Sequence, residues 1–462
     1  MITSFVIFLM VFAAIGVASV VRSKNTPSDY YLAGGELKPW LVGLSAVATN
    51  NSGYMFIGVI GYTYVTGLAS IWLMVGWILG DLMGSLLIHR RFISMVKSSK
   101  QITFASVLSV WFGDGQRKIR VLIALISVIF LLAYTAAQLV AGSKALHVLF
   151  GWPEQTGAIL GAVIVTVYCL AGGIRASIWT DAAQSFVMIV AMGILLYISV
   201  SSLGGVSEAV AQFNTVPGYL SWTPTDLAFG GIAGWLLFFI SWIFAGVSTI
   251  AQPHIMVRFM ALNDVKNLVP ARVWYYTWFT LFYCMATGVG LLARLHLPDT
   301  QNFDAELALP TMAMALLPEV LVGVILAGIF AATMSTADSL VMSCSASISQ
   351  DLFVNKVEGS KALKVVTIGS ALLALSWALS SQGSVFNLVI FAWSGLASAF
   401  APLMVAIVFG YRPSLNRALI AVVLGLGVAV GWRLLGWNAW LYEGLPGVLV
   451  GSIVLFWGTK KA

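Results

Sequence analysis

The chain has 462 residues, of which 60% are hydrophobic and only 9% charged, with a mean hydropathy of +0.95. A soluble domain of this length cannot carry so apolar a composition, so the sequence reads as a polytopic α-helical membrane protein. The net charge of +7 is not a nucleic-acid footprint, because the basic residues sit in short loops between apolar runs; Cys169, Cys284 and Cys344 show neither metal spacing nor a disulfide pattern.

Windows of about 20 apolar residues place about thirteen spans. They run 2–21, 39–61, 67–89, 120–149, 156–172, 178–202, 229–251, 270–295, 317–350, 364–381, 385–411, 417–436 and 441–459. The first lacks a basic leader and is followed by Arg22 and Lys24, the wrong polarity for a cleaved signal peptide. It therefore reads as a retained helix with its N-terminus outside. With that start, only Lys144, Arg294 and Arg433 of the 24 basic residues fall on the outer side, and the C-terminus is cytoplasmic. The whole chain, 1–462, is expected to be one membrane domain, and the lack of any extramembrane domain fits a bacterial inner (cell) membrane.

The second span is interrupted. In LSAVATNNSGYMFIGVIG, residues 44–61, the run Thr49, Asn50, Asn51, Ser52, Gly53 sits mid-span and favours local turns over helix. A helix broken at membrane depth is tolerated where its freed carbonyls line a cavity or hold an ion. The third span carries Asp81 between glycines, with no role indicated. Asp181 opens the sixth span near the inner surface, where a salt bridge to Arg175 and a place on a cation's exit path account for it equally well. The seventh span carries Gly246, Ser248, Thr249 and Gln252 before Pro253, which removes a donor and can kink or end the helix. If both the second and seventh spans are broken, each opens a five-helix unit, 39–202 and 229–411. Span 2–21 precedes these units, and 417–459 adds two helices. Interrupted segments in corresponding positions of two halves are the sequence pattern of a transporter's midplane site.

The ninth span ends in AATMSTADSLVMSCSASISQD, residues 331–351. At about 100° per residue, Ala332, Ser335, Thr336, Ser339, Ser343 and Ala346 share one helix face. Small residues let another backbone approach, and hydroxyls supply oxygen ligands. Each serine alone could simply bond back to the preceding turn; the stripe as a whole points to a cation site. Asp338 stands just off it, with no lysine or arginine within reach along its own helix. An intramembrane charge costs at least ~2.5–3.5 kcal/mol and marks a functional site by default.

Taken together, DYYLAGG from residue 29, LSAVATNNSG at 44–53, VYCLAGGIRASIWTDAAQ at 167–184, AQPHIMVRFMA at 251–261, AATMSTADSLVMSCSASISQDLF at 331–353 and FAWSGLASAFAP at 391–402 resemble the sodium/solute symporter family, most of all its sodium/proline branch. The resemblance runs through nearly the whole chain. It implies an all-α, LeuT-like core of two inverted five-helix repeats, with sodium bound between the second and ninth spans. The implied sodium ligands are the carbonyls of Ala48, Asn51 and Ala332 and the hydroxyls of Ser335 and Thr336. Ser52, Asp181, Asp338 and Ser339 would stand on the ion's pathway or just behind its ligands.

On the substrate side the resemblance brings in Asn50, where proline-type relatives have aspartate and sugar-type relatives an asparagine that touches substrate. Tyr134 matches an aromatic position that faces substrate. Ala245 and Thr249 stand where the proline branch has tryptophan and tyrosine, which widens the pocket and makes it more polar; Glu36 replaces an arginine. Gln138 and Trp242, each one helical turn from these positions, and Gln252 complete the expected substrate set.

The implied activity is sodium-coupled import of a small organic solute, an amino acid or similar polar metabolite, by alternating access. Its expected company is sodium, the solute and the lipid bilayer, with no nucleic acid and no obligate protein partner. Two rival readings remain: a transporter-like solute sensor, and a proton-coupled symporter working through Asp338 or Asp181. No nucleophile–base pair, metal cluster or phosphate loop argues for an enzyme.

Overall fold

In lipid an apolar run can satisfy its backbone only within itself, and helix is the form that does so. The computed structural model describes every residue except 22–25, 226, 228, 299–301, 355–356, 358–359, 381–382, 458 and 460–462. Arg22, Lys24, Lys356, Lys460 and Lys461, all part of the loop-charge argument, lie outside the described residues. The first helices are α1 (Ile2–Val20), α2 (Pro27–Leu32), α3 (Pro39–Gly53), α4 (Ile60–Thr66), α5 (Ile71–Gly84), α6 (Arg90–Ser99) and α7 (Phe104–Ser109). Then come α8 (Gln116–Phe150), α9 (Glu154–Ser202), α10 (Val206–Phe213), α11 (Gly231–Val247), α12 (Pro253–Met260) and α13 (Leu268–His296). The last are α14 (Ala308–Leu316), α15 (Glu319–Ala346), α16 (Ser360–Ser380), α17 (Val385–Val408), α18 (Leu415–Leu434) and α19 (Gly444–Phe456).

The body of every expected span is helical. Ten helical stretches among the described residues are long and apolar enough to cross a membrane. Pro39–Ser99 runs on through two expected spans, and Glu154–Leu170 and Gly444–Phe456 are shorter apolar helices, so length alone does not reach the expected thirteen.

α15 is the central pillar. It packs against α9, α8, α3 and α1, and every residue from Ile325 to Ala346 is buried, so its hydroxyl stripe meets protein, not lipid. α11 lies along α5, α13 along α3, and α17 against α8 and α19.

Both expected interruptions are present. In α3, Ser52 takes φ 49°, ψ −176°, after which the chain makes a wide π-helical turn, Tyr54–Val59, before α4. Positive φ is costly for a residue with a Cβ and persists only where its surroundings impose it. After α11 the chain tightens into a 3-10 turn, Ser248–Ala251, and Gln252 is extended; Pro253 then starts α12, at the position where its missing N–H costs no bond. A third break lies within α9 at Gly173, φ 60°, where an added Cβ would sit 2.5 Å from the Tyr30 carbonyl oxygen. At the start of α17, Glu306 accepts hydrogen bonds from Ser384 Oγ and from the Val385 and Phe386 N–H groups while pairing with Lys144 at 2.7 Å. An anion there satisfies the open N–H groups of the helix.

Candidate cation and solute site

The break in α3 faces the hydroxyl stripe of α15. Ser335 donates to the Ala332 carbonyl (3.1 Å) and lies 3.4 Å from the Ala48 carbonyl; Thr336 donates to the Thr49 carbonyl (3.0 Å). Ser339 Oγ lies 3.2 Å from Thr49 Oγ1 and donates to the Ser335 carbonyl. Ala48, Ala332, Ser335 and Thr336, expected together, are thus within hydrogen-bonding reach across α3 and α15. The Asn51 carbonyl accepts the Tyr54 N–H, and the carbonyl that meets Thr336 belongs to Thr49.

Side chains from α8 hold the break open. Tyr134 donates to Ser52 Oγ (3.1 Å), and Gln138 Oε1 accepts the Gly53 N–H (2.8 Å). Around it, Asn50 Oδ1, Asn51 Oδ1, Tyr54 OH, Gln138 Nε2, Gln252 Oε1 and both ring nitrogens of His254 are buried without a protein partner. Native structures leave few such atoms unpaired, so their gathering here fits a site that takes a polar ligand, an ion or water.

Asp181 does not pair with Arg175. Arg175 bonds to Asp29 (2.6 Å) and the Ala33 carbonyl, and the partner of Asp181 is Arg258, at 3.3 Å. Arg258 also lies 4.0 Å from Asp338 and donates to Ser177, Ser339 and the His254 carbonyl. Ser45 donates to Asp181 (2.6 Å), and Ser177 donates to Asp338 (3.1 Å). One buried guanidinium therefore serves two buried carboxylates, directly behind Ser339. The loop-charge count leaves Arg258 on the inner side of the membrane; its apolar setting in HIMVRFMA is the sequence signal that it is buried.

The expected substrate residues divide into two groups. Asn50 donates to Tyr275 OH (2.5 Å) and Asp81 (3.3 Å). Thr249 donates to the Gly246 carbonyl and borders the same carboxylate. Trp242 is buried, stacked at 6.0 Å on Trp77 and 6.4 Å from Tyr442. Gln252 donates to the Trp393 carbonyl (3.1 Å) and holds the second break to α17.

The space near Ala245 is walled by aromatic rings, while Thr249 borders the Asp81 carboxylate. Trp393 donates to the Ala245 carbonyl (2.8 Å) and packs beside Trp77, Tyr134 and His254. Aromatic bulk missing from α11 is supplied by α5 and α17. Trp77 and Trp393 each sit among mostly apolar residues of a span, where a pocket wall and core read alike in sequence.

Residues 30–425 match the sodium:solute symporter family. A sodium/proline symporter of Escherichia coli (strain K12) is 29% identical over 475 residues, covering 98% of this chain and 91% of that protein. The high-affinity proline transporter of Bacillus subtilis (strain 168) is 28% identical, covering 96% and 94%. Among solved structures, a Na+-coupled sialic acid symporter in a substrate-bound outward-open state matches with TM-score 0.82 at 18% identity, over 100% of this chain and 98% of that one. A nucleobase-cation-symport-1 family transporter in a closed conformation matches with TM-score 0.64 at 13% identity, over 94% and 95%. At these identities the structural likeness is one of fold.

Proposed function

Because the chain belongs to the sodium:solute symporter family and carries out sodium-coupled solute import on a LeuT-like fold, we propose that its sodium ion binds where the broken α3 meets α15. The ion would take the carbonyls of Ala48, Asn51 and Ala332 and the hydroxyls of Ser335 and Thr336. Neutral oxygens of this kind suit a monovalent cation drawn from water. The supporting observation is the approach of the Ser335 and Thr336 hydroxyls to the carbonyls of Ala48 and Thr49 beside the break. The ion ties α3 to α15, so binding favours the form in which both breaks are assembled, and departure releases α15. Ser339, Asp181 and Asp338 mark its way inward.

The solute is placed between the two broken helices, beside Asn50, Thr249 and Trp242. Proline, the substrate named for the relatives, is the first solute to test. The units 39–202 and 229–411 act as the two repeats, with the N-terminus outside and the C-terminus in the cytoplasm. One charge crossing ~100 mV contributes ~2.3 kcal/mol, about 50-fold in accumulation before any sodium gradient is added.

Removing one ligating hydroxyl forfeits roughly 1.5–3 kcal/mol of charge-assisted contact. Ser335→Ala and Thr336→Ala are therefore expected to raise the half-saturating sodium concentration about 10- to 100-fold, with substrate affinity recovered at saturating sodium. Unchanged sodium dependence in Thr336→Ala would remove the assignment.

A further inference from the structure

Among the described residues, no basic side chain comes within 4.0 Å of the Asp81 carboxylate. The buried acids among the described residues are Asp29, Asp81, Asp181, Glu306, Asp338, Asp351 and Glu443. Six have a basic partner within 4.0 Å: Arg175 for Asp29, Arg258 for Asp181 and Asp338, Lys144 for Glu306, Arg120 for Asp351 and Arg433 for Glu443. Asp81, 1% exposed in the last turn of α5, has none. Its carboxylate accepts from Tyr275 OH (2.6 Å), Tyr276 OH (3.2 Å) and Asn50 Nδ2 (3.3 Å). Arg272, on the same helix as the two tyrosines, bonds instead to Ser85, just past the end of α5.

Neutral donors orient a carboxylate but leave its charge uncompensated, and a lone charge at membrane depth is retained only for a purpose. Asn50 supplies a second pointer: its Nδ2 binds Asp81 and Tyr275, while its Oδ1, on the same buried amide, has no partner. The site thus presents a carboxylate without a basic partner and, beside it, one free acceptor, Asn50 Oδ1, with Thr249 bordering the same carboxylate. That is the complement of a cationic nitrogen with an N–H or a polarised C–H to share.

Resting on the solute placement above, we infer that Asp81 is the counter-charge for a positively charged nitrogen on the transported solute, which Asn50 Oδ1 helps to seat. Substrates then carry an ammonium or quaternary amine, and neutral sugars and simple carboxylates are rejected for want of it.

The test is the electrogenic current of the full-length protein in proteoliposomes, at saturating sodium, on addition of L-proline, L-alanine, choline, putrescine, D-glucose or lactate. Currents are expected only from compounds with a cationic nitrogen, and they vanish with the N-acetyl form of a responding amino acid. Asp81→Asn raises the half-saturating solute concentration at least tenfold and leaves half-saturating sodium within about twofold; Asp81→Glu keeps part of the affinity and controls for folding. A current from D-glucose or lactate, silence to every amine, or an unchanged solute dependence in Asp81→Asn would overturn the inference. So would a shift in sodium dependence alone, which would assign Asp81 to a second sodium ion. Failure of the α3–α15 sodium site is read separately, from Thr336→Ala, which acts on sodium and not on solute.

Discussion

Arg258 lies 3.3 Å from Asp181 and 4.0 Å from Asp338, with all three side chains essentially buried. Removing one member of a buried ionic group leaves the others uncompensated and costs roughly 3–5 kcal/mol. Arg258→Met is therefore expected to lower stability by that order, and adding Asp181→Asn should recover part of it, measured as thermal unfolding in detergent. If Arg258→Met alone unfolds at the wild-type temperature, the network is not holding α12 to α9 and α15. The hydroxyl stripe on α15 was legible in the sequence because its period is local. The partner of Asp181 was not, because Arg258 lies 77 residues away and reaches it only after α12 packs against α3 and α15. Asp81 drew no role from its neighbours in sequence for the same reason: Tyr275, Tyr276 and Asn50 come to it from other helices.

α5 and α11 touch backbone to backbone. An added Cβ at Gly80 would lie 1.9 Å from the Ile243 carbonyl oxygen, and one at Gly246 would lie 2.1 Å from that of Trp77. Small residues permit this approach, and it sets Asp81 beside Thr249. Overpacking typically costs 1–3 kcal/mol, and backbone neighbours cannot step aside as a side chain can. Gly80→Ala should thus destabilise by at least about that much and weaken solute response through the displaced Asp81, whereas Gly427→Ala, with nothing within 4 Å of its added Cβ, should do neither. The broken α3 could be read from Asn50–Gly53 and the second break from Pro253, since both rest on local backbone preference. The bend of α9 at Gly173 could not, because the Tyr30 carbonyl that demands a glycine comes from α2.

Across the whole molecule, apolar run lengths place the helices but do not fix how many cross: Pro39–Ser99 is one helical stretch with two expected spans inside it. The residues proposed for sodium and solute lie on the broken α3 where it packs on α15, and at the end of α11 beside α5. Sodium, if it ties α3 to α15, should slow the conversion between forms. Adding saturating sodium chloride, against equal choline chloride, is expected to protect a cysteine introduced at Ser343, on the same face of α15 but outside the ligand set, from a membrane-permeant thiol reagent, in a background where Cys169, Cys284 and Cys344 are replaced. Equal labelling in both salts would mean that the ion does not close this junction.

Uptake into sealed proteoliposomes bears most directly on the central claim, with the sodium gradient, the proton gradient and the membrane potential imposed independently. The expected result is accumulation of an amine-bearing solute only with sodium outside, increased by an inside-negative potential, with the sodium requirement raised in Thr336→Ala. Accumulation driven by a proton gradient in the absence of sodium, and unaffected by Thr336→Ala, would contradict it.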